Sequence, residues 1–275
     1  MKKLTSLLLA LCLVLSLAAC SKDDSSADNK YGTVTAGTLT VATSPDYAPY
    51  EFYAIDESGN PYLAGFDMDL AKYIADYLGL ELEIIPMDFN GTLMELGEKK
   101  VDLSMAGYSP DPDRLELMDF TDVYYEGGQA FLTTQSMKDV FTSLDVANDA
   151  QYSVGAQNGS IQAQLASELT PNADQIVLTN VPDIIQELLN GKIDAAYVET
   201  VVAENYAKNY PELYVAFEVP YEAEGNVIGV SKGNTELLNA VNEALHAAID
   251  DGSFAEYLLK ANELAAGDII EGLID

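Results

Sequence analysis

Residues 66–86 read FDMDLAKYIADYLGLELEIIP, and this stretch decides the fold class. Apolar residues recur at helical spacing from Phe66 to Leu78, which predicts a helix with Asp67 as its N-cap. The apolar and β-branched run that follows predicts a strand from Leu80 to Pro86. A helix followed directly by a strand is one step of an α/β alternation.

The alternation continues on both sides of this stretch. Further strands are predicted at 39–43, 101–106, 129–134, 152–156, 175–179, 194–198, 213–218 and 226–231. Further helices are predicted at 92–99, after Ser109-Pro110, at 160–169 and 181–189, up to Asn209, and at 236–250 and 254–263. This pattern predicts an α/β fold of mostly parallel sheets with helices on both faces.

Two short segments interrupt the alternation, Glu126-Gly127-Gly128-Gln129 and Glu222-Ala223-Glu224-Gly225. Glycine in such a segment either makes an ordinary turn or absorbs the backbone rotation of a hinge. If the chain passes from one lobe to another at both segments, it forms two lobes. Residues 39–128 and 223–275 then make lobe 1, residues 129–222 make lobe 2, and a ligand cleft lies between them.

The N-terminal residues have the features of an exported lipoprotein. A basic start and a short apolar run predict a signal peptide over residues 1–19. Cys20 follows Leu-Ala-Ala, as in the bacterial lipoprotein box, where the thiol is acylated; an incidental cysteine after a plain signal peptide is the alternative. Residues 20–38 are polar and small, which predicts a flexible tether. We expect an exported protein, periplasmic or anchored to the outer face of the cell membrane through the lipid on Cys20.

The charged residues of the chain bear on its partners and on its binding site. The formal net charge is -32, from 13 basic and 45 acidic residues, which disfavours nucleic acids and anionic lipids as partners. Arg114 is the only arginine of the chain. A guanidinium offers a planar fork that matches a carboxylate, so Arg114 is a candidate carboxylate ligand, although a surface ion pair would also explain it.

Four segments bring polar and aromatic residues to strand ends, where open α/β sheets bind ligands. They are 43–52 (TSPDYAPYEF), 105–109 (MAGYS) with Arg114 beyond, 158–161 (NGSI) and 197–199 (YVE). These segments resemble those of the polar amino-acid family of periplasmic solute-binding proteins. Further matches in order and spacing are 65–71 (GFDMDLA), 86–89 (PMDF), 119–122 (DFTD), 190–195 (NGKIDA) and 251–254 (DGSF). The resemblance covers about Leu39 to Lys260 and implies a two-lobe periplasmic-binding-protein fold of type II.

A zwitterionic amino acid brings a carboxylate and an ammonium into the cleft, and neither can be buried unpaired. Arg114 can hold the carboxylate bidentately, helped by the amides of Ser160 and Ile161 at a helix start. Glu199, at a strand end, can take the ammonium. A helix start is the structural alternative for Glu199, and an ordinary turn is the alternative for Gly159-Ser160.

The remaining contacts follow from the same resemblance. Ser109 and backbone atoms of Ala106 and Gly107 are expected to complete the polar contacts, although Ser109 can also cap a helix. Tyr47 and Phe89 are expected on opposite walls of the pocket, where flat rings restrict the ligand's shape. Taken alone, each of these two aromatic residues is more typical of a core.

The residue type at position 44, which is Ser44 here, indicates which ligand side chains are expected. Binders of cationic amino acids in this family carry aspartate at this position, so a neutral serine argues against lysine or arginine, while Asp46 nearby leaves the point open. Residues 86–89 resemble those of glutamine binders. We therefore expect a neutral or polar amino acid, with glutamine as the favoured example.

Exported enzymes share this fold, and a dehydratase acting on prephenate-like acids is the alternative. Such an enzyme needs a placed acid or base. His246, the only histidine, fits a surface helix position, while Glu199 could act as an acid. We expect a binding protein and not an enzyme. We also expect no cofactor or metal site, because histidine clusters, EF-hand spacing and phosphate loops are missing from the sequence. The expected partners are a free amino acid and the permease subunits of an ABC importer, with a monomeric chain that closes on its ligand.

Overall fold

The computed structural model of the protein describes residues 29–221, 225–267 and 269–270. The predicted signal peptide and Cys20 lie outside these residues. Among the helices of these ranges, none is both long and apolar enough to cross a membrane.

Strands and helices alternate along most of the chain. The strands are β1 (Thr38–Thr43), β2 (Asp46–Tyr47), β3 (Glu51–Ile55), β4 (Pro61–Ala64), β5 (Glu81–Pro86), β6 (Leu103–Tyr108), β7 (Met118–Phe120), β8 (Gln129–Thr134), β9 (Ser153–Gln157), β10 (Asp174–Leu178), β11 (Ala195–Glu199), β12 (Leu213–Val219), β13 (Val227–Ser231) and β14 (Ile269–Ile270). The helices are α1 (Phe66–Leu78), α2 (Phe89–Gly97), α3 (Leu144–Ala147), α4 (Ile161–Leu169), α5 (Val181–Leu189), α6 (Thr200–Asn209), α7 (Thr235–Asp250) and α8 (Ser253–Ala265). A short 3-10 helix spans Pro112–Glu116.

Two five-stranded sheets form the centres of the two lobes. Their strand orders are β5-β1-β6-β13-β7 and β10-β9-β11-β8-β12. In each sheet the first three strands are parallel, and the last two pair antiparallel. The parallel strands β1, β6, β9 and β11 are almost entirely buried, as expected for strands covered on both faces.

The chain passes between the two sheets twice. It leaves the first sheet after β7 and enters the second with β8 at Gln129, then returns with β13 at Val227. The two passing segments pair with each other, since Tyr125 and Asn226 form an antiparallel bridge and Gly225 N donates to Gly127 O at 3.1 Å. This pairing places the connections between the lobes side by side.

A small antiparallel sheet that the sequence did not predict lies beside the first sheet. It contains β2, β3, β4 and β14. Ile269, close to the C-terminus, pairs with Ala54 of β3, so part of the chain's end belongs to this sheet.

Helix α1 has the predicted bounds but a different N-cap. Gly65 caps it with φ 124°, and a Cβ there would lie 2.0 Å from Tyr50 O, so only glycine fits. Asp67 lies inside the helix, is buried, and accepts a hydrogen bond from the Tyr124 hydroxyl at 2.8 Å. The prediction of Asp67 as the cap was wrong, because its carboxylate points into lobe 1 toward Tyr124.

Residues 29–38 are packed against lobe 1, and the tether prediction was wrong for them. Val34 N donates to Asp102 Oδ1 at 2.7 Å, and Asn234 Nδ2 donates to Tyr31 O at 2.9 Å. Thr33 is buried and its backbone nitrogen donates to Asn29 Oδ1 at 3.0 Å. The segment is polar, as a tether is, but Val34 N and the carbonyl oxygens of Tyr31 and Gly32 bond to side chains of the lobe. The rest of the predicted tether, residues 20–28, lies outside the described ranges.

Candidate ligand-binding site

A cavity lies between the lobes at the carboxyl ends of β6 and β9. Side chains and backbone from both lobes line it: Tyr47, Phe89, Ala106, Gly107, Tyr108, Ser109, Arg114, Gln157, Ile161 and Gln162. Its free volume is about 10 Å³, close to that of one water molecule. An amino acid therefore enters only if the lobes separate or the lining side chains move.

Arg114 is the charged residue of this lining, and the 3-10 helix positions it. Asp111 caps that helix by accepting from Asp113 N, and its other oxygen lies 3.5 Å from Arg114 Nε. The guanidinium carbon lies 5.8 Å and 5.5 Å from the ring centroids of Phe89 and Tyr108, within cation-π range. Burial lowers the pKa of Arg114, but a guanidinium remains charged in proteins.

The guanidinium of Arg114 uses only part of its donor set. Nη2 donates to Gly159 O of lobe 2 at 3.0 Å. Nη1 is buried and has no hydrogen-bond partner among the described residues. An unpaired buried donor on a cation is costly, and a carboxylate is the group that satisfies it best. Arg114 thus joins the lobes and keeps one donor for an anion.

Gly159 and Ser160 form the start of α4, as predicted. Ser160 is the N-cap, and its hydroxyl accepts from Ala163 N at 3.1 Å and donates to Gln157 O at 2.7 Å. The backbone nitrogen of Ser160 also donates to Gln157 O, at 3.2 Å. These bonds give Ser160 a capping role in this arrangement, while the adjacent Ile161 lines the cavity.

Gly107 and Tyr47 are in close contact. Gly107 has φ 59°, and a Cβ there would lie 2.9 Å from Tyr47 Cε1, so a side chain would displace the ring. The backbone groups of Gly107 are already bonded: its nitrogen donates to Asp67 Oδ2 at 3.4 Å, and its oxygen accepts from Asn226 Nδ2 at 3.0 Å. Of the predicted ligand contacts, Gly107 is thus the one that shapes the cavity by leaving room for Tyr47.

Three glutamine side chains that the sequence analysis missed connect the lobes across the cleft. Gln162 Nε2 donates to Tyr47 Oη at 3.2 Å and to Gln129 Oε1 at 2.7 Å, and Gln129 Nε2 donates to Ser109 Oγ at 3.2 Å. Gln157 Nε2 donates to Asp46 Oδ2 at 2.9 Å. Each glutamine lies at one end of a strand or at the start of a helix. This position in the sequence is the signal that could have identified them as site residues.

Ser44 does not line the cavity. It is buried, and its hydroxyl donates to Asp46 Oδ1 at 2.7 Å. Asp46 Oδ2 accepts from Gln157 and from Val181 N, at 2.9 Å each, both in lobe 2. Burial raises the pKa of Asp46 to about 6. Ser44 therefore acts on the site through Asp46, which contacts the cavity-lining Gln157.

Glu199 lines a second cavity, beside the segments that connect the lobes. It is the N-cap of α6, and Oε2 accepts from Val202 N at 3.1 Å. Oε1 is buried without a hydrogen-bond partner in the described parts of the chain, and burial raises the pKa of Glu199 to about 7. Glu199 therefore does lie at a helix start, but only its Oε2 takes part in capping the helix. Arg114 and Glu199 do not share a cavity in this closed arrangement.

The fold, with a cavity lined by residues of both lobes, is that of a two-lobe solute-binding protein. Comparison with known proteins gives the family. Residues 39–261 match the model of the bacterial extracellular solute-binding proteins, family 3, and the chain belongs to this family. The predicted type II periplasmic-binding-protein fold is thereby confirmed.

Two relatives illustrate the similarity. The arginine-binding extracellular protein ArtP of Bacillus subtilis is 33% identical over 264 residues, which cover 92% of this chain and 94% of ArtP. The structure of the ABC transporter substrate-binding protein AbpA of Streptococcus pneumoniae, bound to L-arginine, superposes with a TM-score of 0.80. It is 29% identical, and the match covers 84% of this chain and 97% of AbpA.

An enzyme is also among the relatives. The cyclohexadienyl dehydratase of Pseudomonas aeruginosa is 26% identical over 178 residues, 65% of each chain. The fold therefore serves both binding and catalysis, and the residues of the site must decide between them.

Proposed function

We propose that the protein captures a free amino acid outside the cytoplasm and delivers it to an ABC importer. The observation that carries the proposal is the buried, unpaired Nη1 of Arg114, which is placed to bind the ligand's α-carboxylate. Residues 39–128 with 223–275 act as lobe 1 and residues 129–222 as lobe 2. The ligand binds first to Tyr47, Ser109 and Arg114, and closure adds lobe 2.

Glu199 is the proposed partner of the ligand's ammonium. Its Oε1 is buried and unpaired, and Tyr47, which lines the Arg114 cavity, lies beside it. In the closed arrangement Glu199 and Arg114 face different cavities, so the ligand must separate the side chains between them. Binding then favours the closed state by the contacts it adds there.

Arginine and glutamine are the two proposed ligands. ArtP is an arginine-binding protein and AbpA was solved with L-arginine bound, which favours a cationic side chain. The cavity itself favours a neutral one, because Arg114 is its only charged lining residue within the described ranges. Asp46, the carboxylate bonded to the lining residue Gln157, is not among the residues that line the cavity.

A calorimetric screen of the twenty amino acids against the chain without its signal peptide tests the proposal. We expect stoichiometric binding of arginine, glutamine or both, with no product formed. Binding of none of the twenty, with binding of a sugar or peptide, would overturn the proposed site chemistry.

An exported dehydratase is the second candidate, because the chain has an enzyme relative and the buried acid Glu199 has a pKa near 7. Turnover of prephenate or arogenate by the purified protein would establish it. We expect no turnover of either compound by the wild-type chain or by the Glu199→Gln variant.

Anchoring through a lipid on Cys20 belongs to the same proposal. With residues 29–38 packed on lobe 1, only residues 21–28 would separate the lipid from the lobe, a reach of roughly 30 Å. Mass spectrometry of the membrane fraction tests it: a diacylated Cys20 is expected, and release of the protein by Cys20→Ala. Equal membrane retention of both forms would contradict the anchor.

A further inference from the structure

The side chain of Gln157 lines the ligand cavity, and its amide nitrogen is fully used outside it. Gln157 Nε2 donates to Asp46 Oδ2 at 2.9 Å and to Thr179 O at 3.1 Å. An amide nitrogen has two hydrogens, so both are engaged. The polar atom of this side chain that remains for a ligand is Oε1.

The orientation of this amide follows from the chemistry of its neighbours. Amide oxygen and nitrogen are assigned from the hydrogen-bond network, and here both neighbours can only accept. Thr179 O is a carbonyl, and Asp46 is a carboxylate. If the amide turned over, Oε1 would face two acceptors and both hydrogen bonds would be lost. Asp46 therefore fixes the orientation of the Gln157 amide and leaves Oε1 as its free polar atom.

Asp46 is itself held firmly, from both lobes. Ser44 Oγ donates to its Oδ1 at 2.7 Å, and Val181 N donates to its Oδ2 at 2.9 Å. Val181 begins α5, whose own N-cap Asn180 makes no capping bond. Asp46 of lobe 1 thus takes the place of a cap for a helix of lobe 2, where a negative charge is favourable. This arrangement requires closed lobes.

We propose that Asp46 is a specificity-positioning residue: it holds Gln157 so that Oε1 accepts a hydrogen bond from the ligand's side chain. The proposal rests on the proposed amino-acid-binding function and adds how the side chain of the ligand is recognised. Amide and guanidinium side chains carry N–H donors and satisfy Oε1. A carboxylate side chain has none at neutral pH and would face Oε1 with a charged acceptor. Glutamate is therefore rejected, although it has nearly the shape of glutamine.

Calorimetric affinities for glutamine, arginine and glutamate at pH 8 test this. The wild-type chain is expected to prefer glutamine or arginine over glutamate by roughly 100-fold or more, as in sites built around a hydrogen bond. In Asp46→Asn the new amide can donate to Gln157, so Gln157 can turn, and the preference should fall by about tenfold, one lost hydrogen bond. Asp183→Asn, which removes an exposed charge from the same α5, is the matched control and should leave the ratio unchanged.

Gln157→Leu is the second variant, because it removes the acceptor but leaves Asp46 to cap α5. It should lower the preference by a similar factor even if Asp46→Asn folds poorly. Two results would overturn this inference alone: a wild-type chain that binds glutamate as tightly as glutamine and arginine, or an unchanged ratio in Gln157→Leu. A wild-type chain that binds none of the three would overturn the proposed ligand class as well.

Discussion

Arg114 Nη2 lies 3.0 Å from the carbonyl oxygen of Gly159, so the only arginine of the chain joins one lobe to the other. The neighbouring Nη1 has no such partner in the described structure. One half of the guanidinium fork thus holds the closed arrangement, and the other half is available to an anion. In the proposed site, closure and carboxylate binding therefore depend on the same side chain.

Gly127, in the first connection between the lobes, is predicted to be intolerant of a side chain. A Cβ there would lie 2.4 Å from Asn226 Oδ1 and 2.7 Å from Glu199 Oε1. We expect Gly127→Ala to lower the free energy of unfolding by about 1–3 kcal/mol through overpacking. Chemical denaturation measures it. Gly128→Ala is the control, since its Cβ would meet only the movable Thr200 side chain, at 3.1 Å. Equal stability of the two variants would contradict the prediction.

Asp102 is predicted to hold the N-terminal segment on lobe 1. Its buried carboxylate accepts from Val34 N at 2.7 Å and from Thr40 N at 2.9 Å. Asp102→Ala leaves these donors unpaired, at about 1–3 kcal/mol each if they stay buried. We expect residues 29–38 to exchange amide hydrogens faster, as measured by mass spectrometry. Asp194→Ala removes a partly buried carboxylate of lobe 2 that likewise accepts from a backbone nitrogen, Ser153 N at 2.8 Å, and should leave the exchange of residues 29–38 unchanged. Slow exchange in Asp102→Ala would show that other contacts hold the segment.

Stability is predicted to fall as pH rises from about 5 to 8. Burial raises the pKa of Asp46 to about 6, and of Asp67 and Glu199 to about 7. It also raises the pKa of Glu51. When the pKa of a carboxyl group is higher in the folded than in the unfolded state, the folded state binds its proton more tightly. The resulting stabilisation is complete below the unfolded pKa of about 4 and is lost as the pH rises through the folded pKa. The high negative net charge acts in the same direction.

Thermal unfolding at pH 5.5 and 8 measures this effect. We expect the higher Tm at pH 5.5, by several degrees. Asp67→Asn keeps an acceptor for the Tyr124 hydroxyl but cannot titrate, so the difference should shrink. A higher Tm at pH 8 would contradict the prediction.

Most of the secondary structure followed from periodicity, and the exceptions have physical causes. The bounds of α1, α5 and β8 agree with the prediction, because their apolar patterns are regular and end at capping or turn residues. The small sheet around β3 was missed, since β2, β3 and β4 are only 2, 5 and 4 residues long and β3 also pairs with a distant C-terminal strand. Long-range pairing of this kind leaves no local signal.

The candidate site was only partly accessible from sequence. Composition singled out Arg114, and the structure places it in the cleft with Tyr47, Phe89 and Ser109. Gln157 was missed, because a glutamine at a strand end is ordinary until the carboxylate that orients it is known. That carboxylate, Asp46, is 111 residues away in the chain, and only folding brings the two together.

Binding of the ligand's carboxylate by Arg114 is tested most directly by calorimetric titration of Arg114→Ala with the amino acid that the wild-type chain binds best. We expect at least roughly 100-fold weaker binding, since a buried charge pair loses one partner. Arg114→Lys should be intermediate, because an ammonium keeps the charge but lacks the fork. Wild-type affinity in Arg114→Ala would contradict the proposed site.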